Sequence, residues 1–411
     1  MALCESGKLL RVVLRELIFM KKTSVDRRDF LKGIAGSAGA MSVFPLQGFA
    51  NNPVRFSAVE SAQDMTGPGK ALPKIKFAVI GANHYHINSQ IEATQRGGGE
   101  FAAVYETGGQ PDLIADFAKR YPQVKRARTE SEILGDPSIQ LVLSAGIPED
   151  RAPLGILVMK HGKDYMSDKP GIITLEQLAE ARKVQAETKR IYSIMYSERV
   201  ENKATVKAGE LVKAGAIGKV VQTIGMGPHR MNAKTRPEWF WDKKRYGGIL
   251  CDIGSHQGDQ FLFFTGSTEA EVVASQTGNV HNQQYPNFED FGDVILRGNG
   301  GTGYIRNDWF TPDGLATWGD GRLTILGTDG YIEVRKNIDI AGRPGGSHLF
   351  LVDQKQTQYI DCSSQELPYG PQLVSDVVNR TDTAMTQAHC YLATELVLKA
   401  QQQAQKLTFK A

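Results

Sequence analysis

Three residues carry most of the chemistry open to this sequence. Lys169 lies in Ser167-Asp168-Lys169-Pro170, directly after a short apolar run. Asp252 and His256 stand four apart in Gly247-Gly248-Ile249-Leu250-Cys251-Asp252-Ile253-Gly254-Ser255-His256. A lysine ammonium stabilises a developing alkoxide, and an imidazole, titrating near neutral pH, is suited to take a hydroxyl proton. If 252–256 is helical, carboxylate and imidazole share one face and the acid can orient the base. The same residues also fit blander roles: a surface lysine before a proline turn, a helix-capping aspartate and a satisfied core histidine. A metal site on Asp252, His256 and His229 has no recognisable ligand spacing, so no metal is expected there.

A second cluster lies upstream, where residues 77–90 read FAVIGANHYHINSQ. An apolar strand running through a glycine into a helix can hold a pyrophosphate on the unpaired amides of the helix start. Gly81 satisfies the tightest position of that fingerprint. Asn83 and His86 occupy the places of its second and third glycines, with His84 between them. Asparagine tolerates left-handed backbone; histidine would hold the helix further from the strand. The segment therefore reads either as a nucleotide loop with altered chemistry or as an ordinary strand-to-helix turn. Glu106, 25 residues after Gly81, favours the nucleotide. A carboxylate at the end of a second strand accepts from ribose hydroxyls and repels a 2′-phosphate. NAD is thus expected, with NADP possible because Thr107-Gly108-Gly109 leaves room for a phosphate. Pro148 and Asp168, at later strand ends, complete the expected cofactor contacts together with Lys169.

These residues need strand ends to stand on. Apolar runs predict strands at 75–80, 101–105, 139–144, 164–167 and 191–196, with helices at about 87–96, 111–120, 151–161 and 174–188. That alternation predicts an α/β fold with a doubly wound parallel sheet over 74–198. Beyond Arg199 a helix at 200–214 leads into alternating runs at 220–225, 272–278, 291–296, 303–308, 323–326 and 331–334, interrupted by a helix near 252–265. They predict a second α/β domain, 199–370, built on a large, mostly antiparallel open sheet. A closing helix at 371–411 is expected to pack back on the body.

The first fifty residues belong to none of this. Ser24-Val25-Asp26-Arg27-Arg28-Asp29-Phe30-Leu31-Lys32 is a twin-arginine signature, followed by a Gly/Ala-rich apolar stretch and a small-residue cleavage pattern at Gly48-Phe49-Ala50. Residues 1–50 are read as a Tat export signal and 51–73 as a linker, which predicts a periplasmic or otherwise exported protein. Residues 1–50 hold 8 Lys+Arg and 4 Asp+Glu, so the chain's +3 becomes −1 over 51–411. The basic excess is that of the signal and gives no reason to expect nucleic acid. Cys251, Cys362 and Cys390 are too scattered for a disulfide framework or a metal knuckle. No apolar run is long enough to span a membrane.

Taken in order, the Gly81 loop, Glu106, Asp168-Lys169-Pro170 and Gly247-Gly248…Asp252…His256 resemble the glucose–fructose oxidoreductase / inositol dehydrogenase (Gfo/Idh/MocA) family over roughly residues 74–405. The resemblance implies a Rossmann domain followed by an α/β domain whose open sheet often mediates oligomers. It also implies a nicotinamide cofactor between the domains and sugar or polyol substrates. By motif, Lys169 matches the family's catalytic lysine, and Asp252 and His256 match its Asp and His. Three departures stand out. Asp168 replaces the usual Glu, Arg151 stands where many members place a His, and two loop glycines are missing.

The expected reaction is hydride transfer from a carbinol carbon to the nicotinamide. His256 takes the hydroxyl proton, Lys169 stabilises the alkoxide and Asp252 holds His256 in register. Arg199, His229, Arg230 and Trp239 are the expected substrate contacts, with Tyr196 and Glu198 also near a strand end. Two other readings fit the residues: a redox-neutral glycosidase or epimerase-type enzyme that recycles bound NAD, and a non-catalytic exported binding or scaffold protein. A small carbohydrate and further copies of the chain are the expected partners.

Overall fold

The computed structural model describes residues 74–106 and 111–408. Residues 1–50 and 51–73, expected to be an export signal and a linker, and Thr107-Gly108-Gly109 fall outside the described residues. Strand β1 (Ile75–Ala82) is buried at every position but Lys76. It lies mid-sheet with helices on both faces, which demands a continuous apolar run rather than alternation. With β2 (Gly99–Tyr105), β3 (Lys125–Arg126), β4 (Ile139–Ala145), β5 (Asp164–Asp168) and β6 (Tyr192–Met195) it forms a parallel sheet of order β3-β2-β1-β4-β5-β6. The connecting helices are α1 (His86–Arg96), α2 (Pro111–Arg120), α3 (Glu130–Leu134), α4 (Pro148–Lys160) and α5 (Leu175–Thr188). The order reverses between β1 and β4, and the crevice at such a reversal is where doubly wound sheets bind ligands.

Helices α6 (Ser197–Val200) and α7 (Lys203–Lys213) lead into a nine-stranded sheet. Its strands are β7 (Val220–Pro228), β8 (Ala270–Gly278), β9 (Phe291–Gly298), β10 (Thr302–Asp308), β11 (Arg322–Gly327), β12 (Gly330–Arg335), β13 (His348–Asp353), β14 (Thr357–Asp361) and β15 (Gln405–Lys406), in the order β14-β13-β12-β11-β7-β10-β9-β8-β15. Only the β7–β10 and β8–β15 pairs are parallel. Along β9 to β12 buried and open positions alternate, so one face is covered and the other is not. The inner face carries α8 (Lys243–Tyr246), α9 (Ile249–Asp252) and α10 (Gly254–Thr265), and the chain closes with α11 (Tyr369–Asn379) and α12 (Gln387–Gln403).

The closing segment differs from expectation in being two helices. Arg380 turns left-handed at φ 58, and Asp376 holds the break by accepting from the Thr383 and Ala384 amides at 2.9 and 2.8 Å. Tyr369 and Thr394 then bond Ser193 and Tyr196 of the first body at 2.8 and 3.1 Å. The expected 252–265 helix is likewise interrupted. The His256 amide bonds Ile253 O at 3.2 Å rather than Asp252 O, which accepts the Ser255 hydroxyl at 2.9 Å.

Candidate active site

Gly81 closes β1 at φ +81, and a Cβ there would stand 3.2 Å from Gly146 Cα. Only glycine lets the β1 and β4 ends come this close in that backbone state. Asn83, buried, donates its amide to Ala145 O at 3.1 Å. No side chain of the N-cap residue Tyr85 caps α1, and its first turn holds no acidic residue. The first amides of α1 are already engaged: His86 N donates to His84 Nδ1 at 3.3 Å, and the Ile87 and Asn88 amides donate to the His84 and Tyr85 carbonyls at 3.1 Å each, so a phosphate at this turn would displace the His84 ring. Pro148 lies buried at the first turn of α4, across the crevice.

The two loop histidines turn toward the lysine turn. His86 Nδ1 lies 3.0 Å from Asp168 Oδ1 and His84 Nδ1 4.0 Å from Asp168 Oδ2. Arg151, almost fully buried, reaches Asp168 Oδ2 at 3.1 Å and donates to Gly146 O at 2.7 Å and to Pro170 O at 3.2 Å. One guanidinium thus ties the β4 end to the turn that presents Lys169. Burial opposes the Asp168 charge, yet His86 and then Arg151 hold its carboxyl well below the usual range. His84 is pushed well down, by burial first and then by His86. Asp168 is therefore enclosed by its own loops. Glu106 also has a partner: Arg126 of β3 bonds its carboxylate.

Lys169 Nζ donates to Asp252 Oδ1 at 2.8 Å, with both side chains largely buried. This corrects the expected pairing, since Asp252 orients the lysine and not His256. Gly247 and Gly248, both at φ +92, bend the chain so that α9 brings Asp252 to the lysine. His256 is buried, and its Nδ1 has no hydrogen-bond partner among the described residues. Burial chiefly, against an opposing pull from Glu198, lowers its pKa to about 4. His229 is lowered to about 3 by burial and then by Lys169. Both rings are neutral at physiological pH, and the burial that keeps them so also weakens them as proton acceptors.

Behind His256 lies a buried polar network. Lys336 donates to the Glu198 carboxylate and, at 3.1 Å, to Gln260 Oε1; Gln257 bridges Glu198 at 3.0 Å and Asn307 at 2.9 Å. Burial raises the Glu198 pKa, but Lys336, His256 and His229 together outweigh it and bring it to about 2. Lys336 had no signal in the sequence, because it meets Glu198 across 138 residues.

Two expected substrate contacts are corrected. Arg199 makes a buried bidentate pair with Asp259 at 2.6 and 2.8 Å, because α10 brings an acid under α6. Arg230 is committed to the carbonyls of Pro312 and Leu315 at 2.9 and 2.5 Å, pinning the loop after β10. Tyr196 is also turned into the core. Trp239 is half-buried beside Phe240. The ring facing His229 is instead Trp318, 4.6 Å away between centroids and about half exposed at 46%. Cavities of about 530 and 400 Å³ open elsewhere, among Lys76, Glu100, Ile139 and Asp164 at the strand starts of the parallel sheet. The site chemistry gathers at the opposite, carboxyl ends.

The Gfo/Idh/MocA C-terminal domain profile matches residues 205–333. A crystal structure from Erwinia carotovora atroseptica SCRI1043, of a protein provisionally named an oxidoreductase, is 47% identical, covers 81% of this chain and all of its own, and superposes with a TM-score of 0.78. The chain belongs to the Gfo/Idh/MocA family. Among curated proteins, scyllo-inositol 2-dehydrogenase (NAD(+)) of Bacillus subtilis is 25% identical over 59% of this chain and 70% of its own length. For 1,5-anhydro-D-fructose reductase of Ensifer adhaerens the identity is also 25%, over 48% of this chain and 59% of that protein. Membership makes the chain an oxidoreductase.

Proposed function

We propose that this chain is an NAD(P)-dependent oxidoreductase acting on a secondary hydroxyl of a sugar or polyol. The observation carrying this reading is the Lys169–Asp252 pair at 2.8 Å, at the carboxyl ends of the parallel strands and next to a buried, neutral His256. A nicotinamide bound at the β1–β4 crevice would supply the hydride acceptor. Gly81, Asn83 and the start of α1 would hold its phosphates, the His84 ring giving up the His86 amide it accepts from at 3.3 Å. The Glu106–Arg126 pair would meet the ribose, the carboxylate suiting NAD and the guanidinium tolerating NADP.

The chain's own groups supply the rest. His256 takes the hydroxyl proton on a ring nitrogen that is unprotonated at working pH. Lys169, positioned by Asp252, faces the oxygen as charge builds on it. His229 and Trp318 offer a polar tip and a ring face to the carbohydrate. The inositol dehydrogenase and anhydrofructose reductase among the relatives support this substrate class.

The test combines cofactor titration with turnover. NAD and NADP binding are followed by calorimetry, and reduced nicotinamide by absorbance across a polyol and aldose panel. Lys169→Ala and His256→Ala are each expected to lower kcat by about 10²–10⁴ with cofactor affinity largely kept. Full activity in either variant would remove the assignment. A substrate consumed without net reduced cofactor would favour the redox-neutral cycle. Export through the Tat route is part of the same proposal, and an Arg27→Lys, Arg28→Lys precursor should stay in the cytoplasm.

A further inference from the structure

The loop after β1 and the end of β5 assemble a donor set to which hydride transfer gives no chemical task. A ring nitrogen of His84, a ring nitrogen of His86 and a carboxylate oxygen of Asp168 lie within 4.8 Å of one another. Among the described residues no other three His, Cys, Asp or Glu side chains converge in this way. Two imidazoles and one carboxylate are the ligands that zinc and its first-row neighbours prefer. Bonds of about 2.0–2.2 Å to a four-coordinate ion set ligand atoms roughly 3.3–3.6 Å apart. His86 Nδ1 lies 3.0 Å from Asp168 Oδ1 and His84 Nδ1 4.0 Å from Asp168 Oδ2, and with one atom of each residue within 4.8 Å of the others the side chains would draw together to close on one ion.

The surroundings fit an open centre. Asp168 is fixed on a strand end, and Arg151 grips its second oxygen at 3.1 Å, which orients the carboxylate as outer partners of metal ligands do. The side chains of His84 and His86 are 33% and 40% exposed, leaving a solvent route and a fourth position. Arg151 and Lys169 add positive charge nearby, which Asp168 and Asp252 offset. A dication would therefore leave the cluster net positive, and its fourth ligand should be an anionic oxygen.

We propose that His84, His86 and Asp168 form a three-ligand site for a first-row transition dication of the zinc class, with the fourth position open to solvent. The inference rests on the geometry of two loops and not on the cofactor reading. The test uses the full chain stripped with chelator and titrated with Co²⁺, read by visible absorption. The ligand-field bands of four-coordinate cobalt should grow to one equivalent and vanish on adding Zn²⁺. They should be lost in His84→Ala and in His86→Ala, each checked for folding by circular dichroism, and kept in His161→Ala, an exposed histidine elsewhere. Absence of bands in the unaltered chain, or bands that persist in the His84→Ala, His86→Ala double variant, would overturn the site. Cofactor titrations run in chelator, so a failure of nicotinamide binding is read separately.

Discussion

His256 illustrates what a single side chain gains from its place. Burial keeps it neutral down to about pH 4, against an ordinary value of 6.5. The unfolded chain therefore binds more protons than the folded one between those values. Its contribution to stability is complete above about pH 6.5 and is lost as the pH falls through 6.5 towards 4. The size is on the order of 3 kcal/mol. Glu198, lowered to about 2 from 4.5, contributes above pH 4.5 and loses that contribution between about 4.5 and 2. Urea midpoints measured from pH 7 to pH 3 should thus fall in two successive windows, and His256→Gln should flatten the upper one. A profile unchanged by His256→Gln would mean that folding does not shift the ring's pKa. At this scale Lys169, Asp252 and His256 were legible, because short motifs carry them. Their partners were not: hydrogen bonds to Asp252, Asp168 and Glu198 cross 83, 82 and 138 residues respectively, and nothing local fixes them.

Elements were more legible than their contacts. Every apolar run read as a strand in the first body is one, and the central β1 and β4 read as nearly unbroken runs of Val, Ile, Leu, Phe and Ala. Strands β13 to β15 escaped notice, with β14 and β15 short and largely exposed. Helix α10 is a sharper case. It is buried over most of its length although Ser255, His256, Gln257, Asp259 and Gln260 are polar. Each of Gln257, Asp259 and Gln260 finds a partner on another element, and Asp259 takes both Arg199 and, at 2.8 Å, His389 of α12. Breaking one side of such a pair strands the other charge. Asp259→Ala is expected to cost about 3–5 kcal/mol in urea unfolding, far more than removing the exposed Arg297–Glu271 pair, which should cost at most about 1 kcal/mol. Equal losses would mean that α10 is hydrated. The same pairing explains why Arg199, legible as a cleft residue from its strand-end position, is structural.

For the whole molecule the open question is what covers the outer face of the nine-stranded sheet. The ladder register aligns Ile295, Tyr304, Ile224, Thr324, Glu333, Phe350 and Tyr359 in one row across seven strands. A neighbouring row carries Gln222, Leu326, Tyr331 and Val352. Their alternates along β9 to β12 are buried, so the outward side chains, apolar groups interspersed with charged ones such as Arg297, Arg306 and Glu333, have no covering layer among the described residues. A sheet needs a second layer on each apolar face, and a second copy of the chain supplies a self-complementary one under twofold symmetry. We therefore expect a homo-oligomer joined through this face, with the β1–β4 crevice left accessible. Ile295→Asp with Leu326→Asp buries charge at the centre of such a contact but touches neither Lys169 nor His256. Light scattering after size exclusion should show the oligomer's mass for the unaltered chain and the monomer's for the double variant, with the circular dichroism spectrum retained. A monomer before substitution would remove the oligomer, and an unchanged oligomer after it would place the interface on another surface.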